Sequence, residues 1–274
     1  MFKRLRRIKD LLWAAAIGLA LLFLFIGLIA ASFTSYHGDR TRQIMNLRGE
    51  KQEETAPEPS AAAKSTGLQP DGTLHPLAET KDAGESYLDS LCFLCDSSFS
   101  SLRSAALTKA AVWSSETGSL SMDVDSWKIR YPGDGSSVSP ASAAMIAKPA
   151  VLILAVGSDG VADMTKDSFV ENYTTLIRGI AKVSPDTRMV CLSLCSVSAA
   201  YAGEDLNKDK VDEINGWIRA VCIETGAYYG DLSAVLCKDG YLRDEYADGS
   251  GRALNASGLG EVLSYLRTHS LDAQ

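Results

Sequence analysis

Positive charge is scarce in most of this chain. The 274 residues carry a formal net charge of −7, and residues 1–50 alone carry +5, which leaves −12 for residues 51–274. Nucleic-acid binding depends on lysine and arginine side chains that neutralise phosphates. The larger part of the chain is therefore a poor candidate for binding nucleic acid, and the anionic polymers of a cell wall would repel it.

Charge is entirely absent from residues 11–33, and polar side chains are almost absent there. A helix rises ~1.5 Å per residue, so this run is long enough to cross a ~30 Å hydrocarbon core. The sequence therefore predicts a single transmembrane helix. A cleavable signal is the alternative, because Ala30-Ala31-Ser32 could suit a peptidase, but an apolar run longer than ~15 residues favours an uncleaved anchor.

Basic residues are concentrated on the N-terminal side of that run, at positions 3–9, and are sparser beyond it. The positive-inside rule then makes residues 1–10 a cytoplasmic tail and places the remainder outside the cell membrane. A basic tail in this position serves orientation and attraction to anionic lipid.

Large apolar side chains are nearly missing from residues 50–86, which are small, polar and rich in proline. Such a segment cannot bury enough surface to offset the entropy lost on ordering. We predict a flexible stalk over residues 34–86. The remaining residues, 87–274, have a normal length for one domain with its own core.

Short apolar runs alternate with helical patterns in this outer region. The runs lie at residues 87–95, 150–156, 188–197 and 227–232. Four helices are predicted between and after these runs. One opens at Ser139-Pro140, one follows a possible cap at Thr165, one ends near Gly226, and the last extends from Ala256 to about Thr268. This alternation predicts an α/β domain with a doubly wound, mainly parallel sheet, whose ligands bind at the carboxyl ends of the strands.

Residues 119–138 interrupt this alternation, and their Pro-Gly-Asp-Gly sequence predicts a hairpin turn. The pattern leaves open whether this segment forms a lid over a site.

Six cysteines invite a zinc or disulfide interpretation, with Cys92 and Cys95 as one half and Cys191 and Cys195 as the other. Strand positions three apart face opposite sides of the sheet, and positions four apart lie ~13 Å apart. Neither local pair can form a disulfide, whose Cα atoms lie within ~7 Å. We predict buried free thiols that pack as small apolar side chains, with no metal and no cofactor.

Polar turns, two of them at the ends of predicted strands, follow one another in a recognisable order. These turns are Cys95-Asp96-Ser97, then Thr117-Gly118-Ser119, then Gly157-Ser158-Asp159-Gly160, and finally the segment from Asp248 to Asn255 before the last helix. Further segments are FVENYTTLIRGI, SPDTRMVCLSLCSVS, VDEINGWIRAV, YYGDLSAVL, DGYLRDEYADG and LNASGLGEVLSYL. Together they resemble the SGNH (GDSL) hydrolase family over roughly residues 87–270, especially its exported, membrane-anchored members of Gram-positive bacteria. The resemblance implies the flavodoxin-like SGNH fold and ester hydrolysis.

The resemblance also implies roles for individual residues. Ser97 takes the position of the nucleophile, and Gly118 that of the glycine in the oxyanion hole. Asp159 stands where the family has the asparagine of that hole, and an ionised carboxylate donates no hydrogen bond. Cys95 replaces the glycine that precedes the family's aspartate and serine.

The fourth block of the family, Asp-x-x-His, begins at Asp248. Its histidine would fall on Gly251 or, counted back from the following Leu-Asn, on Ala253. Neither residue is a base. The chain has only three histidines, His37, His75 and His269, and none is expected to reach Ser97. The sequence therefore gives the Ser97 hydroxyl no evident proton acceptor.

Three altered blocks favour a non-catalytic domain that binds a glycan or protein of the cell envelope. The alternative is an active serine esterase that removes O-acyl groups from envelope polysaccharide, with Asp159 or Asp248 as an unrecognised base. A third possibility is a scaffold in an envelope assembly. In the simplest interpretation, Ser97 is a turn serine or helix cap and Asp248 a loop carboxylate.

Overall fold

The computed structural model describes residues 67, 72–99, 101–201, 203 and 205–273. The predicted membrane helix at 11–33, the basic tail and most of the predicted stalk lie outside these residues. Among the residues that are described, no helix combines the length and the apolar character needed to span a membrane.

A seven-stranded sheet forms the centre of the domain. Its strands are β1 Cys92–Cys95, β2 Ala111–Thr117, β3 Lys128–Arg130, β4 Ser137–Val138, β5 Val151–Ala155, β6 Arg188–Leu192 and β7 Tyr228–Gly230. They lie in the order β4-β3-β2-β1-β5-β6-β7. The five strands from β2 to β7 in this order pair in parallel, whereas β3 and β4 add antiparallel strands at one edge. The parallel part has the flavodoxin-like order, which reverses direction between β1 and β5.

Helices cover both faces of the sheet, as predicted. They are α1 Gly84–Ser90, α2 Ser101–Ser104, α3 Pro140–Ala147, α4 Lys166–Val183, α5 Lys208–Thr225, α6 Ser233–Leu236 and α7 Ala256–Thr268. One apolar core includes side chains of α3, α4 and α5, and the other includes side chains of α1, α2, α6 and α7. A separate hairpin pairs β8 Cys237–Lys238 with β9 Tyr241–Leu242.

Local sequence signals place the long helices correctly. Thr165 accepts a hydrogen bond from the Ser168 amide and begins α4, and Ser139 caps α3 in the same way. Gly226 ends α5 in the left-handed conformation, with φ of 74°. The last helix has the predicted bounds, Ala256–Thr268.

All four predicted strands are shorter than expected, and two of them lose five residues each. α1 covers residues 84–86 of the predicted stalk and residues 87–90 of the first predicted strand, because Tyr87, Leu88 and Leu91 are buried at helical spacing. The predicted strand 188–197 ends at Leu192. Beyond it, the Asn215 side chain accepts from the Leu194 amide at 2.7 Å and donates to its carbonyl at 3.2 Å.

The sequence interpretation missed β2, in which only Val112 and Trp113 are buried. The hairpin predicted within 119–138 is confirmed: Tyr131 donates to the Ser136 carbonyl at 2.8 Å, and the two arms are β3 and β4. Residues 128–138 therefore extend the edge of the sheet.

The segment before α1 also packs on the domain. The amides of Leu77, Thr80 and Ala83 donate to the carbonyls of Tyr229, Thr268 and Arg267 at 2.8, 2.6 and 3.0 Å. Leu77 is buried in the same core as α7. Ordered packing therefore begins N-terminal to residue 84.

Candidate active site

The site lies at the carboxyl ends of β1 and β5, where the strand order reverses. The parallel register pairs Cys95 with Ala155, so the residues that follow each strand emerge side by side. Ser97 opens a short 3₁₀ turn after β1, and Asp159 lies in the loop after β5. This is the position at which doubly wound sheets bind their ligands.

Asp96 joins the two loops. One of its carboxylate oxygens accepts hydrogen bonds from the Gly157 amide at 2.9 Å and from the Ser158 amide and hydroxyl at 2.7 and 2.9 Å. The other oxygen accepts from the Ser98 amide and hydroxyl at 3.1 and 2.7 Å. The side chain is only 4 % exposed. Sequence reasoning gave this residue no role, although an aspartate directly before Ser97 was the available signal.

Burial raises the pKa of the Asp96 carboxyl, and the neighbouring Asp159 carboxylate raises it further. The hydrogen bonds from Ser98 and Ser158 favour the ionised form and act in the opposite direction. Two carboxylates therefore share this end of the sheet, and the charge of Asp159 disfavours ionisation of Asp96.

Asp159 binds Ser97 through both of its oxygens. One oxygen accepts the Ser97 amide at 3.1 Å, and the other accepts the Ser97 hydroxyl in a short hydrogen bond. The expectation that this hydroxyl lacks an acceptor is therefore wrong. The sequence offered Asp159 only as an alternative base, because the pairing joins residues 62 positions apart and no local pattern reveals it.

The same contact occupies a donor that acyl transfer needs. In an oxyanion hole, backbone N–H groups point at the oxygen on which negative charge develops. Here the Ser97 N–H already donates to a carboxylate, and that carboxylate would repel an oxyanion at the same place. The Asp159 carboxylate thus gives the Ser97 hydroxyl a proton acceptor and, at the same time, occupies the Ser97 N–H that an oxyanion would need.

Gly118 directly follows β2, the neighbour of β1 in the sheet. Its φ is 89°, and a Cβ there would lie 3.0 Å from the Trp127 Cα, so the position requires glycine. The next turn is held by Asn172 of α4, whose amide group donates to the Leu120 carbonyl at 2.7 Å. Sequence reasoning missed Asn172, which lies within a helical pattern.

Asp248 closes a turn of its own chain segment and is not bound to Ser97. It accepts from the Ser250 amide and hydroxyl at 3.1 and 2.6 Å and from the Ala253 amide at 3.3 Å. Partial desolvation acts to raise the pKa of Asp248, but these hydrogen bonds outweigh it and leave the pKa below its usual value. The geometry agrees with the interpretation of Asp248 as a loop carboxylate.

The two candidate positions for the family histidine carry no base, and one of them cannot easily accept a side chain. Gly251 is buried with φ of 77°, and a Cβ there would meet the Ser198 hydroxyl oxygen at 2.6 Å. Ala253 is half-buried, and its carbonyl accepts from the Asp248 amide at 2.8 Å.

Arg252, between these two positions, is the side chain that the turn directs at the site. Its guanidinium donates to the Ser158 carbonyl at 3.3 Å and to the Asp205 carboxylate at 2.7 Å. Tyr201 also donates to Asp205, and these partners lower the pKa of that carboxyl, the tyrosine most strongly. A guanidinium accepts no proton, so Arg252 does not replace the missing imidazole. Sequence reasoning did not single out this arginine.

The histidines that are described are bound elsewhere. His269 follows α7, stacks on Tyr265 at a ring distance of 3.9 Å, and contacts the Tyr265 carbonyl at 2.9 Å. His75 donates its amide to the Gly67 carbonyl. His37 lies outside the described residues. Within the described part of the chain, no group of three or more His, Cys, Asp or Glu side chains is placed to hold a metal ion.

No protein-family model matches the sequence. No curated protein matches it either.

Solved structures do match. A protein from Streptococcus pneumonia, provisionally described as a platelet activating factor, is 16% identical with a TM-score of 0.51, over 65% of this chain and 82% of its own. A protein of Slackia heliotrinireducens, provisionally described as an SGNH hydrolase, is 14% identical with a TM-score of 0.46. The match covers 65% of this chain and 96% of the other. A GDSL-like lipase from Bacteroides thetaiotaomicron is 10% identical with a TM-score of 0.47. The match covers 68% of this chain and 89% of the other. The streptococcal protein matches with a TM-score above 0.5, so this domain shares its fold.

Proposed function

We propose that this domain, built on the SGNH hydrolase fold, is a non-catalytic module that binds a glycan or protein of the cell envelope at the ends of β1 and β5. In this proposal the N-terminal segment anchors the chain in the cell membrane and holds the domain outside. The observation that carries the proposal is the Asp159 carboxylate, which accepts the Ser97 amide.

This contact argues against acyl transfer on electrostatic grounds. The loss of a single oxyanion donor typically lowers the rate by ~10²–10³. Here one donor is occupied, and a negative charge stands where the reaction would create another. Recognition makes no such demand, because a cleft binds through shape and hydrogen bonds that need not stabilise an oxyanion.

A second candidate is a slow esterase that removes O-acyl groups from envelope polysaccharide. The observation that favours it is the hydrogen bond from the Ser97 hydroxyl to Asp159, which would make a serine–aspartate dyad. Carboxylates ordinarily titrate near pH ~4 and imidazole near pH ~6.5, so a carboxylate is the weaker base. In such a dyad the oxyanion would also form beside the Asp159 carboxylate, which would repel it.

Hydrolysis of 4-nitrophenyl acetate by the full-length protein separates the two candidates. We expect wild type and Ser97→Ala to hydrolyse the ester at the same rate, within about twofold. The Asp159→Asn variant, which restores the amide that the family uses, should not be slower than wild type. The matched control is Asp163→Asn, which makes the same change at an exposed aspartate four positions after Asp159. Turnover that disappears in both Ser97→Ala and Asp159→Asn would establish the dyad.

Binding is tested with an array of envelope polysaccharide and peptidoglycan fragments, and with a pull-down from solubilised envelope proteins. We expect wild type and Asp163→Ala to retain the same ligand and Asp159→Ala to lose it. If wild type retains nothing, or if all three proteins retain the same ligand equally, the site at Asp159 is not a binding site.

A further inference from the structure

A cavity of about 570 Å³ lies against the β8–β9 hairpin, and its lining includes neither Ser97 nor Asp159. The lining comes from the hairpin, from residues 243–245 that follow it, and from Ala199. Sites for small molecules usually have volumes of ~300–1,000 Å³. This cavity is therefore large enough for a ligand of monosaccharide size.

The hairpin fixes the side chains that line the cavity. Both residues of its turn, 239–240, have positive φ, at 53° and 82°, as a tight type I′ turn requires. Lys238 and Tyr241 are register partners and lie side by side, and Tyr241 keeps 40 % of its surface exposed. Leu242 is buried in the core, so alternation along the strand brings Tyr241 and Arg243 to the opposite side. An ammonium group, an aromatic ring and a guanidinium group thus line one cavity.

Arg243 is a half-buried cation without an anionic partner. Its Nε is buried and has no hydrogen-bond partner, while its guanidinium lies over the Tyr246 ring, 5.8 Å from the ring centre. Among the residues that the structure describes, neither Arg243 nor Lys238 has a partner in an ion pair. A buried polar group without a partner is unfavourable. An anion bound here would supply the acceptors that the protein does not.

The charges of the lining favour a ligand with a single negative charge. Lys238 and Arg243 contribute +2 and Asp239, Asp244 and Glu245 contribute −3, which leaves −1. This balance repels a phosphate or a polyanion more strongly than a single carboxylate, which a guanidinium binds through two parallel hydrogen bonds. The three carboxylates accept hydrogen bonds from hydroxyl groups, and a tyrosine ring offers an apolar face. This combination fits a sugar that carries one carboxylate.

We propose that the cavity beside the β8–β9 hairpin binds a saccharide that bears one carboxylate, of the hexuronic acid class. Arg243 and Lys238 bind the carboxylate, and the ring of Tyr241 packs against the sugar. Asp244 and Glu245 accept hydrogen bonds from its hydroxyl groups. This is a second site, and it does not rest on the function proposed for the site at Ser97.

The test compares two sugars that differ only at C6. Methyl β-glucuronide carries a carboxylate there, and methyl β-glucoside carries a hydroxymethyl group. NMR titration measures the binding of each sugar to the full-length protein. We expect wild type to bind the glucuronide about tenfold more tightly, because a carboxylate forms charge-assisted hydrogen bonds with the guanidinium. Equal affinity for the two sugars, or no binding of either, would overturn the proposal. Tighter binding of glucose 6-phosphate, or of an acetylated peptide with a free C-terminus, would overturn it as well.

Variants assign the contacts. Arg243→Gln should reduce the preference for the glucuronide to about twofold or less, because the bidentate contact is lost. Arg103→Gln, at an exposed arginine of α2, is the matched control and should keep the full preference. Tyr241→Ala should weaken the binding of both sugars by the same factor, since the ring does not contact the group at C6. A full preference in Arg243→Gln would refute the assignment of the carboxylate.

A second variant decides the matter if Arg243→Gln does not fold. Lys238 is exposed, so Lys238→Gln should fold normally and lower the preference by about threefold, the effect of an exposed ion pair. An unchanged preference in this variant would count against the site. Binding that is lost in Asp159→Ala and kept in Lys238→Gln would place the sugar at the site of Ser97 and overturn the proposal.

Discussion

Two turns at the same end of the sheet each contain an aspartate that accepts several hydrogen bonds. The two aspartates differ in how far along the sequence their partners lie. Asp96 binds Gly157 and Ser158, more than 60 positions away, and so joins the ends of β1 and β5. Asp248 binds Ser250 and Ala253, within its own turn. The first aspartate assembles the site from two parts of the chain, whereas the second shapes a single loop.

The difference shows what each turn contributes to the site. The corner of β1 and β5 retains a tightly bonded framework that fixes Ser97 and Asp159 against each other. The turn from Asp248 directs Arg252, which accepts no proton, toward the Ser158 carbonyl. A fold can preserve the geometry of a cleft while the chemical groups in it change.

The largest expected effect comes from Asp96→Ala. It leaves the buried amides of Gly157 and Ser158 without an acceptor, and each unsatisfied donor costs about 1–3 kcal/mol. We expect the free energy of unfolding to fall by about 2–5 kcal/mol in urea denaturation. Asp248→Ala is the matched comparison and should cost about 1 kcal/mol, because water can replace its bonds to exposed donors. Equal losses in the two variants would contradict the distinction between the two turns.

A smaller effect is expected at Gly251, which holds the turn against Ser198. Gly251→Ala places a Cβ at positive φ and 2.6 Å from the Ser198 hydroxyl oxygen, and should destabilise the domain by about 1–3 kcal/mol. Gly249→Ala is the matched control, since a Cβ at Gly249 meets no atom within 4 Å. Thermal unfolding measures both variants. If Gly251→Ala is as stable as Gly249→Ala, the turn has room for a side chain, and the absence of a histidine there has no steric cause.

The smallest expected effect is electrostatic and tests the coupling between the two carboxylates of the site. Asp159→Asn removes a negative charge beside Asp96, so the pKa of Asp96 should fall toward its ordinary value. Carboxyl-carbon NMR through a pH titration measures this shift. An unchanged pKa of Asp96 in the variant would show that the two groups do not interact.

Stability should change in parallel with this titration. Because the folded pKa of Asp96 lies above the unfolded value, the native state binds more protons in the interval between them. The contribution of Asp96 to stability therefore falls as pH rises through this interval. Asp159→Asn should narrow the interval and flatten the dependence.

Much of the fold could be predicted because its signals are local. Caps at Ser139 and Thr165, the stop at Gly226 and the apolar spacing of α7 each act within a few residues. The interpretation failed where only two residues of a strand are buried, as in β2, and where a helix and a strand share one apolar run, as in α1 and β1.

The residue types of the site could also be predicted, but their partners could not. Ser97 and Asp159 follow β1 and β5 as expected, because polar turns end buried strands, whereas the strand before Gly118 was missed. Asp96, Asn172 and Arg252 act through partners far along the chain, in the case of Arg252 and Ser158 across 94 positions. A sequence gives no distance between such residues.

By itself the sequence determined the alternation of strands and helices, the polar loops at the strand ends, and the absence of an imidazole from the fourth block. Only the tertiary structure decided that Asp159 would bind both the amide and the hydroxyl of Ser97. The physical reason is the register of β1 against β5, which pairs Cys95 with Ala155 and so sets two loops side by side. A hydrogen bond needs its donor and acceptor atoms about 3 Å apart, and only the packing of the folded chain sets distances that precisely.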